Sequence, residues 1–458
     1  VSLAALAAAT EKSGHPSLWT GASALRQAGA TQVKALGWPG RKDEAFAHLN
    51  LKELAALLEG APSDALADAP TPTVFLAPSI EAVAPLIAGS LQLVLHNGSW
   101  RAGDGNRAVD LPAGVEVLPL AEALDQVDHP VHALLNEAPP LVGSRALYPA
   151  LNDAHLGAGL WIRVAGGTAL GAPIEVVFES DGAQAVQHPR LVVQWGRGAR
   201  GSLIERFVGH TLPATATSAI TPPKALRAAT NVVSQLHLEA DSQLDHLILQ
   251  EQGLDTAYLG HTEVSLAHQA QFSSFLWSAG ARLARQQIRL VQQGPGTEAQ
   301  LSGLYVGRGT QQQAVDLEVV HAQPHGSSAQ VYKGILDEAA TGLFSGTVVV
   351  APSAPHTSAT QLNKNLLLST QAAAYTRPRL EIETDEVRCT HGATVGQLEA
   401  DALFYLRSRG LDARTAGRLL TYAFCCDVSR HIPHPSLRQA VDARLRAWLD
   451  LPEELSAP

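Results

Sequence analysis

Cysteine is scarce and methionine is absent: the 458-residue chain has three of the first and none of the second. Three cysteines exclude a disulfide framework. Cys425 and Cys426 are neighbours, a spacing that strains a bridge, so thiols in a reducing cytoplasm are expected. Nothing in the sequence accounts for the missing methionine. Charge is also sparse, at 17%, and aromatics reach only 5%. The net charge of -10 and pI near 6.0 argue against a nucleic acid or an anionic membrane held by bulk electrostatics. No apolar run approaches the ~18 residues of a membrane span. The longest, such as Val348 to Ala351 and Leu366 to Leu368, are strand-sized. Val1 to Thr10 is Ala-rich without a basic start, so no secretory signal is expected. There is no phosphate-binding G-x-x-x-x-G-K-[ST] loop, G-x-S-x-G elbow, H-E-x-x-H helix or C-x-x-C pair. Gly103-Asp104-Gly105 and Gly294-Pro295-Gly296 read as turns.

What is there is 46% hydrophobic, enough for a large core, and it falls into three zones. The first, 1–150, reads as helical or α/β. Ser23 to Lys34 and Glu44 to Glu59 carry apolar residues at helical spacing, with Asp43 placed to cap the second. Val74 to Ala77 and Leu91 to His96 read as strands, beside a short helix at Glu81 to Ile87. The second zone, 151–396, contains short strand-like runs: Leu160 to Val164, Ile174 to Phe178, Leu191 to Trp195 and Leu203 to Val208. Strand starts are then expected at Leu236, Val264, Ile288, Leu317, Val348 and Leu380, a step of roughly 24–32 residues that suits stacked coils. A sandwich would need hairpin turns every ~8–12 residues, and within this zone Asp181-Gly182 is the one such dipeptide. A parallel β-helix core is therefore expected. The third zone, 397–458, is helical: Glu399 to Arg409 closed by Gly410, then Ala413 to Val428 capped by Asp412, then a helix through Trp448 capped by Ser436. The stripe of the middle helix is Ala416, Leu419, Leu420, Ala423 and Phe424.

Eighteen histidines are many, and most are expected to be surface or hydrogen-bonded residues. Cys389-Thr390-His391-Gly392 stands apart, at the end of the β zone. Alternate strand residues share a face, so Cys389 and His391 project together. Thiolate and imidazole suit zinc or iron–sulfur chemistry, but two ligands cannot complete a tetrahedral site. Other coils or another subunit would have to supply the rest. The alternative is a buried structural Cys beside a solvent-facing His. Cys425 and Cys426 are expected to be small hydrophobes.

At these residues a resemblance enters. Asn363-Lys364-Asn365-Leu366-Leu367-Leu368-Ser369, Pro378-Arg379-Leu380-Glu381-Ile382, Asp385 to Gly396 and Leu403-Phe404-Tyr405-Leu406-Arg407-Ser408-Arg409-Gly410 closely resemble the SufD family. These are scaffold subunits of the SUF iron–sulfur cluster assembly system. Tyr332-Lys333-Gly334, Phe344-Ser345-Gly346 and Arg41-Lys42-Asp43-Glu44 are similar too, whereas Ala45-Phe46-Ala47-His48 departs from the usual Trp-Arg-Tyr-Thr run. The resemblance implies a mainly β chain: a right-handed parallel β-helix core flanked by N-terminal and C-terminal α-helical domains. It implies a non-enzymatic scaffold that pairs with a SufB-like sister subunit and binds a SufC-like ATPase through its C-terminal helices. A homodimer is the partnership considered for isolated chains. His391 and Cys389 match the cluster-site positions, so a nascent iron–sulfur cluster would be held transiently and shared with the sister subunit, with none expected in the isolated chain. Movement of the ATPase would strain the adjoining strand and expose the pair. Leu403, Phe404, Arg407, Arg409, Gly410, Leu419 and Phe424 are the residues expected to meet the ATPase. Two rivals remain: a secreted-type β-helix carbohydrate-active enzyme, which would display paired carboxylates, and a self-contained metalloprotein, which would carry metal when purified alone.

Overall fold

The computed structural model describes residues 20–40, 43–60, 83–100, 111–137, 141–180, 186–209 and 225–451. Arg41, Lys42, Val74 to Ala77, Gly103 to Gly105, Asp181-Gly182 and Val1 to Thr10 lie outside them. The core is a parallel β-solenoid of about eight turns, each contributing one strand to each of two sheets. One sheet runs from the hairpin of Leu91–His96 and Ser99–Trp100 through Ile174–Ser180, and on by successive parallel strands to Val387–Gly396. The other begins with Val115–Pro119, antiparallel to Gly159–Val164, and ends at Ala373–Ile382.

In-register stacking explains the rhythm of the sequence. Leu236, Val264, Leu290, Val319, Val348 and Leu380 pair rung upon rung in one inward column. Ile288 and Leu317 belong to the inward column two residues earlier. The expected strand starts are thus core positions well inside their strands: Leu236, for instance, lies near the end of Ala228–Leu238. Each rung buries the same column, so the apolar signal repeats where the chain returns, not where a strand begins.

The outer faces are covered as well, so central strands are buried on both sides; every residue of Ala228–Leu238 and Thr256–Leu266 is buried, polar ones such as Asn231, Ser234 and Thr262 included. Val33, Leu54, Leu58, Leu147 and Leu151 from the N-terminal helices, with Phe46 from the turn before the second, pack with Ala229, Ala257, Leu259 and Leu283 of one sheet. On the other sheet Leu249, Trp277, Leu304 and Ile335 meet Cys425, Val428, Val441, Leu445 and Trp448 of the C-terminal helices. An ion pair reinforces the first contact, Arg145 sharing Asp316 with Arg285 at 2.9 and 2.7 Å, and within the sheet Arg289 reaches Glu318 at 2.7 Å.

Among the helices, Ser23 to Lys34 lies within Thr20–Leu36. The second starts later than expected, at Lys52–Gly60, after a turn over residues 44–48. Asp43 does not cap it, because its carboxylate accepts from the Gly40 N–H at 2.6 Å; Asn50 Oδ1 accepts from the Lys52 N–H instead, at 3.3 Å. Of Glu81 to Ile87, residues 81–82 lie outside the described residues and the rest are coil and bend, not helix. At the C-terminal end, Ala400–Ser408 stops before Gly410, whose φ of +97° suits glycine. Asp412 caps Ala413–Ser429, accepting from Arg414 and Thr415 N–H groups at 2.9 and 3.0 Å. Ser436 does not cap the last helix. That helix is Pro435–Leu449, with His434 preceding it and Pro435 in the first turn, where its missing N–H costs no bond.

Candidate functional site

The two sheets end at Ala373–Ile382 and Val387–Gly396, each paired on one side only. No residue of either strand is fully buried, in contrast to the rungs beneath. This is the open end of the solenoid, and the candidate site is on it.

Cys389 stacks in register on Ala359, and His391 on Gln361. One step further down, Ala359 stands on Ser328 and Gln361 on Gln330. Both columns run inside the coil, so the two side chains do share the inward face. Their Cα atoms, two residues apart on one strand, are separated by roughly 6–7 Å. With no rung above, inward does not mean sealed: His391 is exposed and Cys389 half-buried. Cys389 packs with Leu380 and Val387 against Val348, Val350, Ala354 and Ala359. That burial raises its thiol above the ordinary value of 9.0, opposed by a hydrogen bond from the Ala359 backbone. Near neutral pH it is a thiol, and binding a metal would require the proton to leave. Among the described residues no three His, Cys, Asp or Glu side chains are placed to hold a metal ion.

Beneath the last rung the interior turns polar. In Thr357–Leu367, Gln361, Asn363 and Asn365 point inward and are buried. Tyr305 donates its hydroxyl to Asn365 Oδ1 at 2.5 Å, Asn365 donates to Asn363 Oδ1 at 2.7 Å, and Asn363 donates back to Tyr305 Oη at 3.1 Å. Gln361 Nε2 donates to Gln330 Oε1 at 2.7 Å. This layer explains two glycines of the motif segments. A Cβ on Gly346 would lie 2.3 Å from Gln361 Nε2; one on Gly334 would lie 2.3 Å from Asn365 Oδ1 and 2.4 Å from the Tyr305 ring. Neither the glycines nor Gln361 were singled out as site residues from the sequence, where a glycine opposite a polar side chain is invisible until register is known.

Other histidines of the β zone, among the described residues, are engaged. His246 Nε2 lies 2.9 Å from Glu205 and its Nδ1 3.2 Å from Ser274, inside the coil. His237 meets Glu137 at 2.8 Å, and His321 Nε2 meets Ser328 at 2.9 Å. His325 and His356 stack at successive corners, with ring centroids 4.9 Å apart.

Only Gln397, Leu398 and Glu399 separate the last strand from Ala400–Ser408, a helix with no buried residue. Phe404 is 71% exposed and Tyr405 56%, with the Arg409 guanidinium 5.3 Å from the Tyr405 ring. Arg407, Arg409 and Gly410 are exposed; Leu403 and Leu419 are half-buried. Phe424 differs, because it is turned to the solenoid: Lys333 Nζ lies 4.6 Å from its ring and donates to its carbonyl at 2.6 Å. The buried stripe of that helix follows Ala416, Thr421, Cys425 and Val428, displaced from the Leu419 and Ala423 side read from the sequence. Cys425 faces the sheet as a small core residue, its thiol pushed up strongly by burial. Tyr405 stands exposed beside Phe404 on the same helix.

Comparisons with known proteins agree with this architecture. Residues 178–424 match the family profile of the SUF system FeS cluster assembly SufBD core domain. An iron–sulfur cluster assembly SufBD family protein of Synechocystis is 30% identical over 425 residues, covering 92% of this chain and 90% of its own. The iron–sulfur cluster assembly protein SufD of Escherichia coli is 28% identical over 258 residues, 56% of this chain and 58% of that one. A chloroplastic Arabidopsis protein, ABCI7, is 28% identical over 265 residues, 58% of this chain and 53% of its own.

Proposed function

We propose a function from the premise that this chain belongs to the SufBD family of the SUF iron–sulfur cluster assembly system. It is the SufD-like partner: a non-catalytic cytoplasmic scaffold that pairs through the open end of its solenoid with a SufB-like sister subunit. The observation that carries this reading is the uncapped terminal rung. Two unpaired strand edges there can accept another chain's strands, and the soft ligand and the imidazole sit on the same rung. The cluster is cargo, not a resident cofactor. His391, exposed on the last rung, supplies a nitrogen; Cys389 supplies a thiolate once a metal or a base takes its proton. The sister subunit supplies the remaining ligands.

The helix Ala400–Ser408, with Phe404 and Tyr405 outward, docks a SufC-like ATPase. Three residues join it to the terminal strand, so a pull on the helix reaches Val387–Gly396 directly. The polar layer below that strand makes its displacement cheaper than parting an apolar core, because amides released to water regain hydrogen bonds.

The test is reconstitution of the chain with its sister subunit and ATPase, with cluster formation followed by anaerobic absorbance. His391→Ala is expected to abolish loading in an intact complex, and Cys389→Ser to reduce it. Normal loading by His391→Ala would remove the ligand role. Metal bound stoichiometrically to the purified single chain would favour a self-contained metalloprotein instead. A carbohydrate-active site has less support: Asp316, Glu318 and Glu263, the carboxylates clustered on one sheet face, are engaged by Arg145, Arg285 and Arg289.

A further inference from the structure

We propose that Gln361 is a positioning residue for His391. Its buried amide oxygen accepts the imidazole N–H and leaves the other ring nitrogen free for iron. The inference rests on the ligand role of His391 proposed above. Three observations on the Gln361 side support it. Gln361 is the in-register neighbour directly beneath His391 on the inward face. Its amide is held from two sides: Nε2 donates to Gln330 Oε1 at 2.7 Å, and the amide fills the notch left by Gly346, where a Cβ would come within 2.3 Å of Nε2. Its Oε1 is inaccessible to solvent and has no hydrogen-bond partner among the described residues. On the His391 side, the ring is exposed and makes no hydrogen bond among the described residues.

A neutral imidazole has one N–H and one lone pair, and a partner on one nitrogen decides which of the two is available to a metal. Histidine ligands are commonly oriented in this way by an acceptor for their second nitrogen. Gln361 offers such an acceptor, clamped and otherwise unsatisfied, one rung below an exposed imidazole. The proposed bond forms when the His391 side chain turns toward the coil, over its in-register neighbour. It also gives the unpartnered oxygen the bond that a buried polar atom needs.

The experiment uses the full chain, deuterated and carrying 15N-histidine, at about pH 8, above the ordinary imidazole range. His391→Gln identifies the His391 ring signal by its loss. A ring N–H protected from solvent exchange is expected in the wild type, exchanging roughly five- to tenfold faster in Gln361→Met, which keeps the volume and removes the acceptor. Gln361→Glu is expected to restore protection, since a carboxylate accepts the same N–H and the unpartnered Gln330 Nε2 can turn to donate to it. In the reconstituted assembly, cluster loading should fall with Gln361→Met and recover with Gln361→Glu. Absence of a protected ring N–H in the wild type overturns the proposal, whether or not the methionine variant folds. Equal exchange in wild type and Gln361→Met overturns it too. If His391→Gln abolishes loading while Gln361→Met changes neither readout, only the positioning role falls. If His391→Gln loads normally, the ligand reading itself falls.

Discussion

Lys333→Met would probe how the C-terminal helices are held on the solenoid. Lys333 is 3% exposed, yet it carries a charge. Its ammonium donates to the Phe424 carbonyl at 2.6 Å and to Asp427 Oδ2 at 3.0 Å. A buried charged donor to a carbonyl contributes about 1.5–3 kcal/mol. The Asp427 side chain is 63% exposed, so that pair adds at most about 1 kcal/mol and is screened by salt. Methionine keeps most of the volume and opens no cavity. A loss of about 2 kcal/mol is expected, roughly thirtyfold in a local opening constant. Hydrogen exchange of Ala413–Ser429 measures it: that helix should exchange faster while Ala228–Leu238 stays protected. Asp427→Asn should cost under about 1 kcal/mol. Lys333 holds the Asp427 carboxyl below its ordinary value of 3.8, so this contribution is complete at neutral pH and fades only as pH falls through and below about 4. Unchanged protection in Lys333→Met, or loosening spread evenly over the chain, would refute the assignment of Lys333 as the clasp.

Three further outcomes follow from the same structure. His155, against Arg26, and His321, inside the coil, are pushed down to about 4, chiefly by burial, and His188 is well below its ordinary 6.5. Unfolding lets them take up protons, so stability should fall as pH drops from 6.5 toward 4, by up to about 1.4 kcal/mol per pH unit for each; denaturant melts should show a shallower slope in His321→Asn. Gly346→Ala forces a methyl against the clamped Gln361 amide and should cost about 1–3 kcal/mol, read as a lower Tm, whereas Gly396→Ala, with open space around it, should cost little. Phe404→Ser should leave the unfolding free energy within about 0.5 kcal/mol of wild type because the ring is exposed, while weakening capture of the ATPase at least about tenfold in a binding titration.

Much of the fold was legible because its signals are local or periodic. Asp412 reads as an N-cap and acts as one; Gly410 reads as a helix stop and has the matching φ. The recurrence of Leu236, Val264, Val348 and Leu380 announced stacked coils, since each turn returns the chain to one interior column. Asp43 and Ser436 misled because a capping residue type is common and only backbone geometry decides which one closes a helix. The stripe of Ala413–Ser429 also misled: helical spacing marks an apolar side, but the sheet chose the face bearing Cys425.

The residues at 389 and 391 could be placed on one face by strand alternation alone, a consequence of backbone geometry that holds in any strand. The chain order could not say that this strand is the last rung, that Gln361 stands beneath His391, or that Gly346 makes room for its amide. Those facts arise from parallel pairing between segments about thirty residues apart, where register is set by the whole stack of packed rungs. Local chemistry chose the elements; only the closed coil, with one end left open, decided which side chains meet solvent and which support them.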